Sequence, residues 1–246
     1  MTIQLEVCID NLESLHNAQQ AGATRIELCS SLALGGLTPS AGFMSAAAKY
    51  ATIPVYAMIR PRQGDFLFSS DDVEIMLADI FAAKQARLQG VVVGVLTAQG
   101  LVDNDILTSL VKQAQGMGIT FHRAIDQCVE PMAALDTIMA AGCERILTSG
   151  LQANAYDGIG MINQMHQHCG NHLKIMAGAG VNSHNVRDII ARTGINEIHL
   201  SGKTTRPSHM ITVAKQAHMG SADIDDFAIP ITGIANIAAV VAQLKL

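Results

Sequence analysis

The chain has 246 residues, is 49% hydrophobic but only 4% aromatic with no Trp, and carries a formal net charge of −5. Such a length suits one α/β barrel with an aliphatic core. The acidic balance and the absence of a Lys/Arg block speak against a nucleic-acid partner, no apolar run is long enough for a membrane span, and no signal-peptide pattern opens the sequence.

Strand, loop and helix recur eight times along the chain. Residues 3–7 read as the first strand, followed by a helix over 12–21 with Asn11 as its cap and Gly22 as its stop. Residues 24–28 form the second strand, and the glycine-rich loop 34–40 leads to an Ala-rich helix that Ser40 can cap. The third strand, 55–59, opens into the most polar tip of the chain, Arg60-Pro61-Arg62-Gln63-Gly64-Asp65-Phe66. Asp71 and Asp72 then mark a helix start, where the dipole favours negative charge. The valine-rich strand 90–95 fits burial on both faces of a parallel sheet.

Strand five, 119–122, carries His122, Arg123 and Asp126 at its tip. Strand six is 145–148, strand seven is 174–177 and strand eight is 197–200. The turn-and-strand phrases 21–26 and 141–146 echo one another. Residues 204–230 lack periodicity and read as a flap over the barrel mouth or a subunit contact. No GxGxxG follows strand one, which argues against a doubly wound sheet. The prediction is a closed TIM-type (β/α)8 barrel forming a single domain over residues 1–246.

Alternation turns successive strand side chains to opposite faces. With Leu5, Val7, Ile26 and Leu28 facing the helices, Glu6, Cys8, Glu27 and Cys29 face the barrel interior, as do Arg60, His122 and His199. Arg62, Asp65, Arg123 and Asp126 lie at the tips or just beyond. Buried charges are costly unless they pair with one another or meet a ligand. The set is therefore either an ion network that fills the barrel or a polar mouth built for a small ligand.

Glu6 and Glu27 can divide acid and base work or hold a hydrated cation, and His122 and His199 can relay protons, bind metal or sit as bonded core residues. Cys8 and Cys29, on neighbouring strands, can clamp a soft monovalent ion such as Cu(I) or serve as small buried hydrophobes. Gly178, Gly180, Ser201 and Gly202 follow strands seven and eight, where this fold often binds phosphate. Arg60 and Arg62 would grip the same anion. His166, His168, Cys169 and His172 read as a fraying surface helix end. Five Cys without a CxxC pair point to free thiols in a reduced, cytoplasmic setting.

Several stretches together resemble the CutC family of copper homeostasis proteins: Leu5-Glu6-Val7-Cys8, Arg25-Ile26-Glu27-Leu28-Cys29, Gly35-Gly36-Leu37-Thr38-Pro39-Ser40, Arg60-Pro61-Arg62 with Gly64-Asp65-Phe66, Thr120-Phe121-His122-Arg123-Ala124 with Asp126, and Leu147-Thr148-Ser149-Gly150. The resemblance implies a cytoplasmic TIM-type barrel, a homodimer or higher homo-oligomer, and Cu(I) bound by Cys8 and Cys29. The glycine run after strand seven and the segment after Lys203 depart from the family pattern. Two functions are carried forward: Cu(I) binding, and a barrel enzyme acting on a small anionic metabolite, with or without a phosphate. In the second, Glu6, Glu27, His122 and His199 supply acid–base groups and Arg60 with Arg62 the anion clamp. A scaffold whose output is oligomerisation is a third option, disfavoured by polar groups turned inward.

Overall fold

A computed structural model describes residues 3–212 and 224–244. Its strands and helices alternate as β1 (Gln4–Ile9), α1 (Leu12–Ala21), β2 (Arg25–Leu28), α2 (Ala41–Tyr50), β3 (Val55–Met58), α3 (Ser70–Gln85), β4 (Gly90–Val93), α4 (Asn104–Gln113), β5 (Gly118–Phe121), α5 (Pro131–Ala141), β6 (Arg145–Thr148), α6 (Ile159–Cys169), β7 (Lys174–Ala177), α7 (Val186–Thr193) and β8 (Glu197–Leu200). A ribbon of β9 (Lys203–Pro207) and β10 (Ala228–Thr232) precedes the last helix, α8 (Ile234–Leu244). The eight parallel strands pair in sequence order, and β1 also pairs with β8, placing Glu6 opposite His199. The sheet is therefore a closed barrel.

The local signals behave as their chemistry dictates. Asn11 accepts a hydrogen bond from the Ser14 N–H, and Ser40 accepts one from the Phe43 N–H, so each tethers an orphan donor of a first turn. Ser69 and Asp72 bond reciprocally at the start of α3. Gly22 and Gly142 end α1 and α5 in the left-handed region, at φ 100° and 96°, which glycine alone adopts cheaply.

Outward residues of the strands, such as Leu5, Val7, Ile26 and Leu28, join Leu15, Ala18 and Met44 in one core between barrel and helices. Inside the barrel a smaller apolar group of Cys29, Tyr56, Met58 and Val92 packs by itself. Most of what else faces inward is polar or glycine, so the interior is where function must be sought.

The ends of the 204–230 segment form regular structure although the sequence shows no period there: Arg206 lies opposite Ile229 in an antiparallel ribbon that borders the barrel mouth. Each strand is five residues long and contains a proline, too short for a visible period and suited to an edge. Arg206 pairs with Glu13, and Asn17 and Ser14 bond the Thr232 backbone, fixing the ribbon to α1. Residues 213–223, part of the same expected flap, lie outside the described residues. At the other predicted helix end, α6 continues to Cys169, which is buried, while His168 bonds Asp136.

Candidate functional site

The barrel interior has two levels. The lower one is a saturated ion network. Arg25 bridges Glu6 and Glu197, and Arg145 joins the same Glu197 to Glu144 and Thr120. Tyr56 donates to Glu144 at 2.8 Å, and both guanidinium groups sit over its ring, at 5.4 and 5.5 Å from the centroid. Burial and the Glu144 bond raise the Tyr56 hydroxyl to about 12. Gly90 and Gly118 make room for that ring, since a Cβ on either would fall 2.2 Å from a Tyr56 atom. Burial alone would raise Glu6, but Arg25 and His199 outweigh it and hold it near 2, so Glu6 is a carboxylate.

Above this floor a cavity of about 1000 Å³ opens at the carboxyl ends of the strands. Cys8, Glu27, Arg60, His122 and His199 reach it from separate strands or their tips, and the β9–β10 ribbon forms one wall. His199 Nδ1 lies 2.9 Å from Glu6 Oε1. Because that carboxylate only accepts, Nδ1 carries the proton and Nε2 turns toward Cys8 and Glu27. Burial opposes a charge on His199, but Cys8, Glu27 and Glu6 prevail and hold it well above the ordinary histidine value. Glu27 is raised, chiefly by burial, against the pull of His199.

His122 is the opposite case. Burial and the nearby Arg60 push it down to about 3, so it is neutral at pH 7. Its Nδ1 accepts from the Ala124 N–H at 3.1 Å, which leaves the proton on Nε2. That Nε2 is buried and has no partner. Gly94 provides the space for this ring: a Cβ there would stand 2.2 Å from His122 Cε1. Among the described residues two further buried side-chain atoms lack partners, Glu27 Oε1 and Arg60 Nε, and they too belong to cavity-lining residues.

The other predicted residues are distributed as follows. Arg60 spends both Nη1 hydrogens on the carbonyls of Leu34 and Gly36 and one Nη2 hydrogen on that of Gly64, so Nε and one Nη2 N–H remain for a ligand. Arg62 is outside the cavity lining, bonded to Asp65 and Asp72, and therefore does not join Arg60 there. Arg123 lines the cavity and is braced by Asp126, which also binds Ser149 and Thr148 and so organises the loop after β6. Gly180 and Ser201 line the cavity. Gly178 packs against Leu147 and His199, and Gly202 turns the chain against Ile237. Cys8 faces Glu27 across the strands, while Cys29, two residues farther along the chain from Glu27, donates its thiol to that carboxylate at 3.4 Å. Burial and Glu27 raise the Cys29 thiol well above its usual value. Cys8, Glu27 and His199 offer ligand atoms all within 4.8 Å of one another, and Cys29 is not among them.

Sequence reasoning passed over Arg25, Arg145, Glu197 and Tyr56. Two signals were available. Arg25 shares parity with Glu27, and Glu197 with His199. Arg25 and Arg145 occupy the same place in the two echoing phrases, and both converge on Glu197.

A profile of the CutC family matches residues 3–204. Among curated relatives, a family protein CutC of Photobacterium profundum is 75% identical, covering 100% of both chains. Another from Vibrio vulnificus is 60% identical over 100% of this chain and 99% of its own. Of solved structures, one titled "Putative Copper Homeostasis Protein CutC" from Streptococcus agalactiae is 33% identical, with a TM-score of 0.77 over 80% of this chain and 98% of its own. A thiamine phosphate pyrophosphorylase from Pyrococcus furiosus, at 13% identity and TM-score 0.60 over 99% of this chain and 96% of its own, shares the barrel fold alone. Among the described residues no helix is long and apolar enough to cross a membrane. With the profile spanning most of the chain and relatives alike from end to end, the protein belongs to the CutC family.

Proposed function

We propose that the barrel mouth is the site of an enzyme acting on a small organic anion. The observation that carries this is the convergence of three buried, unpartnered polar atoms, Glu27 Oε1, Arg60 Nε and His122 Nε2, on residues lining one cavity. A buried polar group left unmade costs about 1–3 kcal/mol, and more when charged. A ligand offering oxygens to Arg60 and His122 and a proton to Glu27 relieves all three at once. Glu27, raised by burial, is the acid–base group, and His122 is a neutral hydrogen-bond donor to a carbonyl or oxyanion. Glu6 and His199 relay charge behind Glu27. Gly180, Ser201 and Arg123 provide room and polarity for a phosphate or second carboxylate.

The test is thermal melting of the purified chain against a panel of small carboxylates and sugar phosphates. At least one anion should raise the Tm of the wild type and lose that effect in His122→Asn and Arg60→Leu. A panel with no stabilising anion would count against the reading.

Cu(I) as cargo is the second reading, taken from the copper naming of the Streptococcus agalactiae relative. It is favoured by one observation: all five thiols are free, and Cys8 and Cys29 both face into the barrel. A reducing, cytoplasmic location and a homo-oligomeric state belong to the same proposal. One-to-one Cu(I) binding that disappears in the Cys8→Ser/Cys29→Ser double variant would support it. Binding unchanged in that variant would end it.

A further inference from the structure

The strand register sets a carboxylate, not the second thiol, directly opposite Cys8. Cys8 stands opposite Glu27, and Cys29 is displaced beyond the end of β2 with its thiol bonded to that carboxylate. The donors that do gather are a thiol, a carboxylate and an imidazole, within 4.8 Å of one another and all buried. Cu(I) prefers soft sulfur, whereas a mixed sulfur, nitrogen and oxygen set suits a borderline divalent ion. We infer that Cys8, Glu27 and His199 form a site for a divalent cation of the Zn²⁺ class, open to the cavity at its fourth position.

Two further observations point to a ligand there. Glu27 Oε1 is buried without a partner. His199 is held through Nδ1 by Glu6 at 2.9 Å, so that Nε2 is the nitrogen presented to the group. A carboxylate gripping the far nitrogen of a metal-binding histidine is the usual outer arrangement of zinc sites. Tetrahedral ligand atoms around Zn²⁺ stand roughly 3.5 Å apart, given bonds of about 2.0–2.3 Å. Side-chain rotations that draw the three atoms together by about 1 Å meet that requirement. On binding, Cys8 coordinates as the thiolate and His199 gives its Nε2 proton to solvent, so that the thiolate and the Glu27 carboxylate balance the ion. Three protein ligands beside a cavity of about 1000 Å³ match an open site rather than a closed structural one.

The site shares Glu27 with the anion reading but does not depend on any anion, because metal loading is read without organic ligand. The reduced, chelator-stripped chain is titrated with Co²⁺ and then Zn²⁺. A thiolate-to-cobalt charge-transfer band with intense tetrahedral d–d bands is expected, displaced by one equivalent of Zn²⁺. The band should vanish in Cys8→Ser and persist in Cys29→Ser. Glu6→Gln should weaken Zn²⁺ binding roughly 10- to 100-fold without removing the band. Failure of the wild-type chain to give the band would overturn the inference whatever the variants do, as would loss of the band in a folded Cys29→Ser.

Discussion

The neutrality of His122 makes a quantitative claim that stability can test. His122→Asn removes the titrating ring and leaves an oxygen near the place of Nδ1, where the Ala124 N–H needs an acceptor. In the unfolded chain the imidazole takes its proton near 6.5, whereas in the barrel it does so only near 3. A histidine depressed in this way stabilises the fold fully above 6.5, and that contribution is lost as pH falls toward the folded value. Each pH unit in that window is worth about 1.4 kcal/mol, so from pH 7 to pH 5 the wild type should lose about 2 kcal/mol more than the variant. A folded value one unit higher leaves that figure almost unchanged, because pH 5 still lies above it. Glu6, Glu27 and His199 are present in both proteins, so their titrations cancel to first order in the difference. Urea unfolding at pH 7, 6 and 5, extrapolated linearly, measures it, and the variant's lost packing shifts both ends equally. A difference below about 0.5 kcal/mol, or one of opposite sign, would mean that the ring titrates normally inside the barrel. The neutral Nε2 donor would then have to be abandoned.

Glu197→Gln leaves Arg25 and Arg145 without their shared carboxylate, and removing one member of such a buried set costs about 3–5 kcal/mol. Urea unfolding should register that loss, and a change under about 1 kcal/mol would show that the floor is less buried or less paired than described. Gly94→Ala drives a Cβ to 2.2 Å from His122 Cε1, so ring or strand must shift at a cost of about 1–3 kcal/mol. Circular dichroism should still report the barrel while the anion-dependent rise in Tm disappears. Retention of that rise would detach His122 from ligand binding.

What the sequence revealed, and what it hid, follows from which properties of a strand are local. Parity is local: Leu5 and Val7 facing the helices force Glu6 and Cys8 inward whatever the neighbouring strands do, and the same holds for Glu27, His122 and His199. Height is not local. It depends on how neighbouring strands are staggered in the closed barrel, and this put Glu27 rather than Cys29 beside Cys8. The first residues of strands were hidden for another reason: Arg25 and Arg145 look like ordinary charged turn exits until closure brings both onto Glu197. Inward glycines at 90, 94 and 118 were readable as gaps for a bulky neighbour, but nothing in the sequence says that the neighbours are Tyr56 and His122. The two explanations of a charged barrel interior divide by height: the floor is a filling network, and the mouth above it is where the proposed ligand would sit. In the floor every described buried polar side-chain atom has a partner, so that layer accounts for itself. From Glu27 upward the matching is incomplete, with an oxygen, a guanidinium nitrogen and an imidazole nitrogen left over. Folding alone has no use for such atoms, because each one weakens the native state. That all three belong to residues lining the mouth is therefore a stronger argument for a ligand than the number of charges inside the barrel.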